Sequence, residues 1–154
     1  MSTQTATQTD TSAVVKGLEI LIADSYALMA QTHLAHWNVE GSDFYPLHLL
    51  FQTQYEELFT GVDTIAEHLR TLEVYAPGGL DMMSGLSSVG AMRRQETAKD
   101  FIAGLVVAHE GLVENAKGTR DAAADCEDKE TEDLCIERIR VHEKAIWMLK
   151  SSLK

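Results

Sequence analysis

His36, His48, Asp63 and Glu67 are the side chains of this sequence whose types and spacing could hold a metal ion. Asp63 and Glu67 stand one helical turn apart, so their carboxylates could bind one cation or bridge two. An acidic pair at that interval is equally a solvated face, and a single histidine is most often a packing or surface residue. The joint arrangement says more. Mixed imidazole and carboxylate donors suit iron, zinc or manganese rather than calcium, and suit Fe(II) well. His48 and Asp63 are fifteen residues apart on what reads as one rod, a separation of about 22 Å at helical rise. A metal bond to nitrogen or oxygen spans only about 2 Å. Either the four residues are unrelated, or two copies of the chain complete a site between them. In a two-fold, antiparallel pairing of the rod, the His end of one copy meets the Asp63/Glu67 region of the other. Trp37, directly after His36, reads either as an oxidisable indole near the metal or as a packing anchor.

The rod is helix two, over residues 47–72. Leu47, Leu50/Phe51, Tyr55, Leu58, Val62, Ile65/Ala66, Leu69 and Leu72 step by three or four, the period of an amphipathic helix. Ser42 or Asp43 is the expected cap, Pro46 falls in the first turn, and Pro77-Gly78-Gly79 ends the segment. Helix one is expected from about Thr11 to Asn38, with Val14/Val15, Leu18, Leu21/Ile22, Leu28/Met29 and Ala35 inward, and Val39-Glu40-Gly41 breaks it. Residues 74–95 form a Gly/Ser/Met-rich connection with a short helix at Leu80 to Met83. Helix three is expected over Glu96 to Cys126, with Phe101/Ile102, Leu105/Val106 and Leu112/Val113 inward. Helix four runs from Lys129 to Ser151 behind an Asp128 cap, with Leu134, Ile139, Ala145, Ile146 and Leu149 repeating. No segment has strand periodicity and no internal repeat appears. The pattern predicts an all-α four-helix bundle with a short helix between helices two and three. Gly104, Gly111 and Gly118 recur every seven residues. Each costs about 1 kcal/mol against Ala in a helix, and close helix–helix approach is the expected reason.

Composition limits the partners. The chain has 154 residues, 45% of them apolar, enough for one domain with a full core, and its formal net charge is −11. Such a surface repels nucleic acid and anionic membranes and concentrates cations. No apolar run approaches the ~20 residues of a membrane span. The first residues are rich in Ser, Thr and Gln without an apolar core, so residues 1–10 are expected to be a flexible tail, 11–154 the domain, and the location cytoplasmic. Cys126 and Cys135 are then expected as free, reduced thiols.

Thr32-His33, His36-Trp37-Asn38-Val39-Glu40-Gly41, Phe44, Leu47-His48, Phe51, Tyr55, Asp63 and Ile65-Ala66-Glu67 together resemble the signature of the Dps family, the DNA-binding proteins from starved cells. These are ferritin-like mini-ferritins. The intervals of twelve, fifteen and four between His36, His48, Asp63 and Glu67 match that family's ferroxidase ligands. The segment His142 to Leu149 is similar to its closing helix, and the resemblance spans roughly residues 11–152. It implies a hollow dodecamer with sites at two-fold interfaces, His36 and His48 coming from one subunit and Asp63 and Glu67 from its partner. It also implies oxidation of Fe(II), preferably by hydrogen peroxide, and storage of ferric oxyhydroxide in the shell, which protects against oxidative damage. Acidic residues near the start of the last helix line iron-guiding channels in related shells. Asp128 and Asp133 are the matching candidates within the acidic run Asp121 to Asp133.

Two departures stand out. His68 occupies the position after the glutamate ligand where the family usually carries Arg. The family's DNA binders commonly use a basic tail, whereas the first basic residue here is Lys16. A nucleoid-compacting protein with secondary iron chemistry is therefore the alternative, and DNA binding is expected to be weak or absent. A classical intra-bundle di-iron protein would carry Glu-x-x-His pairs, and Glu stands three residues before none of the histidines. His33, one turn before His36, reads as an accessory ligand or a hydrogen-bonding interface residue. His109 and His142, each followed by Glu, read as polar packing or surface residues.

Overall fold

The computed structural model describes residues 7–154, with side chains from Thr11 onward. Among the described residues there are five helices and no strand: α1 (Thr7–Asn38), α2 (Phe44–Thr71), α3 (Leu80–Leu86), α4 (Ala98–Asp125) and α5 (Lys129–Ser151). The expected all-α architecture is present, with the short helix in the connection between the second and third long ones. The helix beginning at Thr7 takes in residues 7–10, which the sequence assigned to a tail. Residues 1–6 of that expected tail lie outside the described residues.

Short turns set the topology. Residues 39–43 join α1 to α2 and residues 126–128 join α4 to α5, so each pair is an antiparallel hairpin. Gly41 takes a left-handed φ of 107° in the first turn, and its carbonyl accepts the Phe44 N–H at 3.1 Å. Asp43 occupies the cap position without a side-chain cap bond, so the Gly41 carbonyl holds the start of α2. Pro46 sits in the first turn, where its missing N–H leaves no bond unmade. The other two long helices have side-chain caps: Thr97 accepts from Asp100 N at 3.1 Å, and Asp128 from Thr131 N at 3.0 Å. α1 packs against α2 and α4, α4 lies along α5, and α3 rests on α1. Buried Asp24 on α1 fixes the long connection by accepting from the Ser87 hydroxyl and from the Ser88 N–H and hydroxyl, at 2.7–3.0 Å.

The core comes in two apolar clusters. One gathers Leu28, Phe51, Leu58, Phe101, Leu105, Leu112 and Leu149. The other gathers Leu18, Leu21, Ile22, Ile65, Leu69, Val113 and Ile139. Leu and Phe side chains buried to this degree stabilise by about 1.5–3 kcal/mol each. The glycine stripe departs from expectation. A methyl on Gly104 would meet Met92 from the connection, but Gly111 and Gly118 face no atom within 4 Å. The close helix approaches are elsewhere: at Gly17, where a Cβ would overlap Thr119 of α4, and at Gly61, which lies under the Arg138 guanidinium of α5.

Candidate metal centre

The corner between α1 and α2 is built from two imidazoles. His36 ends α1 and is 7% exposed, while His48 lies one turn into α2. Each Nδ1 lies against the other residue's carbonyl oxygen, at 2.7 Å for His36 onto His48 and 2.8 Å for the reverse. A carbonyl only accepts, so both Nδ1 atoms carry the hydrogen and both neutral rings keep their lone pair on Nε2. The orienting partner that metal-binding histidines require is therefore supplied by the backbone. His36's carbonyl is free for this because it belongs to the last turn of α1, where helical acceptors lack intrahelical donors. The rings stack with centroids 3.7 Å apart and planes 12° apart, which locks the pair as one unit.

Aromatic rings surround this corner. Tyr55 lies edge-on to His36 at 5.1 Å and tilted against His33 at 4.2 Å, and Phe44 stacks on His48. Within the chain His33 contacts the Tyr55 ring and the Trp37 ring, 5.2 Å away. Its pKa lies below the ordinary histidine value, chiefly because burial disfavours the charged form and secondarily because of His36. Trp37 is two-thirds exposed, so it is not a core anchor within the chain. Tyr55 belongs to the quoted motif but had no assigned part; its register on α2, seven residues beyond His48, is the signal that points to it.

Asp63 and Glu67 are both exposed and share the outer face of α2. Because α2 is one unbroken helix of 28 residues, Asp63 stands about 22 Å along its axis from His48. His48, with His36 of α1 stacked on it, and the carboxylate pair are therefore held toward opposite ends of α2. Among the described residues, no three His, Cys, Asp or Glu side chains gather around a point that could hold a metal. Exposed Tyr45, Leu49 and Phe59 lie on the same outer stripe as Asp63 and Glu67, at intervals of four, ten, four and four residues.

His68 points away from that stripe. Its Nε2 lies 2.8 Å from the Thr131 hydroxyl, which itself donates to Asp128 Oδ2 at 2.6 Å. Both Asp128 oxygens are thus engaged at the start of α5, whereas Asp133 is exposed. Cys126 and Cys135 are free thiols as expected, and burial raises the Cys135 pKa to about 11. Of the two readings the sequence left for His109 and His142, polar packing is the one that holds, because neither is at the surface. Both are buried in the bundle, Nδ1 to Nδ1 at 2.9 Å. Their spacing of 33 residues carries no local motif.

The Ferritin-like domain family matches residues 15–154. DNA protection during starvation protein 2 of Bacillus anthracis is 28% identical over 91% of this chain and 96% of its own length. The X-ray structure of Dps from Thermosynechococcus elongatus superposes with a TM-score of 0.94 at 27% identity, covering 97% of this chain and 96% of that one. The Vibrio cholerae O1 Dps protein, described as a member of a broad superfamily of ferritin-like diiron-carboxylate proteins, does so with 0.90 at 25% identity over 99% and 100%. The family match and the fold thus define a ferritin-like protein. The chain belongs to the Dps family within that class, whose members are mini-ferritins that store iron.

Proposed function

We propose that the protein is a ferroxidase and iron store that oxidises Fe(II), its substrate, at sites shared between two subunits. In each site His36 and His48 of one chain face Asp63 and Glu67 of a second. The observation that carries this reading is the reciprocal Nδ1–carbonyl bonding of His36 and His48, which leaves two oriented Nε2 lone pairs at one end of α2 while the carboxylates stand at the other. The exposed apolar residues on the α2 stripe support pairing of this helix with a second copy, because solvent-exposed aromatic and aliphatic surface of this kind marks interaction sites.

In this reading the imidazoles supply neutral donors and the carboxylates balance the charge that iron gains on oxidation. Hydrogen peroxide is the preferred oxidant: two Fe(II) ions each give one electron, the O–O bond breaks, and with two protons two waters form. Delivering both electrons together releases no hydroxyl radical. Trp37, stacked on His33, is the nearest exposed indole to the corner. The ferric product is stored in a dodecameric shell, located in the cytoplasm. No helix among the described residues is long and apolar enough to cross a membrane. Asp133 is the better candidate for a channel lining, because Asp128 is occupied as a cap. DNA binding is weak or absent, since a net charge of −11 opposes phosphate contacts.

Mixed shells test the sharing of the site. His36→Ala/His48→Ala chains and Asp63→Ala/Glu67→Ala chains are each expected to lose fast peroxide-driven Fe(II) oxidation while still assembling. When the two are co-assembled, one of the paired interface sites keeps all four ligands, so part of the rate should return. No recovery in verified mixed shells would overturn the shared site, and an unaltered rate in the His double variant would overturn the ligand assignment.

A further inference from the structure

The carboxylate-bearing half of α2 is held to the bundle in two ways. Its buried Ile65 and Leu69 join the apolar cluster of Leu18, Leu21 and Ile22 on α1. Toward α5 the attachments are polar. Arg138, 3% exposed, lies over Gly61 and donates to both Glu57 oxygens, at 2.5 and 2.9 Å. About three turns further along α2, His68 meets the Thr131 hydroxyl at 2.8 Å. This second attachment has a fixed polarity. Thr131 is fully buried, and its single hydroxyl hydrogen goes to Asp128 Oδ2 at 2.6 Å. The hydroxyl oxygen therefore accepts from His68, whose Nε2 must carry the hydrogen. On the other edge of the ring, the Thr71 hydroxyl lies 3.5 Å from Nδ1. Asp128 Oδ1 in turn accepts the Thr131 N–H at 3.0 Å, so the chain of bonds ends on the backbone of α5.

Glu57, Gly61 and His68 are spaced by four and seven residues, which puts them on the one stripe of α2 that faces α5. Asp63 and Glu67 lie between Gly61 and His68 along the chain, about a third of a turn round the helix from that stripe. We propose that His68 is a positioning residue of the shared centre: its bond to Thr131 sets the roll of the last turns of α2, and so the direction in which the Asp63 and Glu67 carboxylates point. This role rests on the shared-site reading of those carboxylates. The lever is short and sensitive. Side chains reach about 5–6 Å from a helix axis, so a roll of about 20° carries a carboxylate about 2 Å. That is a whole metal–oxygen bond, and a misplacement of about 1 Å can cost about a hundredfold in rate. The packing of Ile65 and Leu69 resists such a roll weakly, because its energy follows buried area and has no direction. A hydrogen bond weakens steeply when bent. His68 also follows Glu67 directly, so no residue stands between the anchored ring and the carboxylate to absorb a rotation.

Co-assembled shells separate positioning from general stability. In the mixture described above, the surviving site takes its carboxylates from the His36→Ala/His48→Ala chain and its imidazoles from the Asp63→Ala/Glu67→Ala chain. His68→Leu added to the first chain should cut the recovered Fe(II) oxidation rate about tenfold or more. Added to the second chain, whose own carboxylates are already gone, it should leave that rate in place. The Zn(II) affinity of the surviving site, read by competition with a chromophoric chelator against the two homomeric double variants as blanks, should show the same asymmetry. His68→Gln keeps an N–H at similar reach and should preserve most of the rate on the first chain. If the Leu variant does not assemble, Thr131→Val removes the acceptor from the α5 side and should act with the same asymmetry. Equal losses from either chain, or no loss from the carboxylate-donating chain, would overturn the positioning role while the shared site stands. No recovery in the unmodified mixture would overturn the shared site itself and this role with it.

Discussion

The buried histidine pair makes the fold sensitive to acid over a defined range. Burial, followed by the Arg138 charge, lowers the His109 pKa from 6.5 to about 4, and His142 is displaced in the same direction by burial, His109 and Arg138. An unfolded chain takes up a proton on His109 near pH 6.5, whereas the folded chain takes one up only near pH 4. Between these values the unfolded state binds more protons, so stability falls as the pH falls and is fully present above the unfolded pKa. One pKa unit is worth about 1.4 kcal/mol, so His109 alone withdraws about 2 kcal/mol at pH 5 and about 3 kcal/mol at pH 4 relative to pH 8. His142 adds to the loss. The assay is urea unfolding at pH 8, 7, 6 and 5, at one fixed chain concentration because assembly contributes to apparent stability, with chelator present to keep metal out. The surface carboxylates contribute equally to the parent and to a His109→Gln/His142→Gln variant, so the difference between the two curves isolates the pair. The variant should lose at least about 2 kcal/mol less than the parent between pH 8 and pH 5. Parallel curves would show that the pair is not held neutral by the fold.

Three substitutions and one binding test give further outcomes. Gly61→Ala should destabilise by about 1–2 kcal/mol in thermal unfolding, because its methyl would lie 2.6 Å from Arg138 atoms that Glu57 holds in place, outweighing the helical gain of alanine. Gly111→Ala meets nothing within the chain and should stabilise by up to about 1 kcal/mol; a loss instead would locate that part of α4 against another subunit. Asp128→Ala removes the α5 cap and the acceptor that orients Thr131 toward His68, so a loss of about 1–2 kcal/mol is expected. Plasmid DNA should migrate unretarded with the protein at about 0.15 M salt without divalent cations, and a shifted band there would refute the charge argument.

The elements were legible because they follow local rules. The three-and-four stepping of apolar residues located α2, α4 and α5 to within a few residues, and the Asp128 cap was found where the sequence put it. The rod length of α2 carried the separation of His48 from Asp63 directly. What escaped depends on which face of a helix meets which neighbour. His109-Glu110 and His142-Glu143 look alike in the sequence to any polar pair on a solvated face, and only the packing of α4 on α5 buries both rings together. The heptad glycines suggested helix contact, yet the tight approaches are at Gly17 and Gly61, where a bulky partner from a distant segment fills the space. Asp43 failed as a side-chain cap because Gly41, with its left-handed φ, lets a backbone carbonyl do the work.

A single unbroken helix that carries donors of one kind at its head and of another kind at its tail cannot fold back on itself to join them. Under the shared-site reading, a chain newly released from the ribosome is inert toward iron until it meets a second. Onset of oxidation on dilution and reconcentration should then scale with the square of chain concentration, whereas loss of oligomers would silence the chemistry before any chain unfolds. The stiffness of α2 thereby acts as an interlock: ferric ions would be generated only where a shell already exists to receive them.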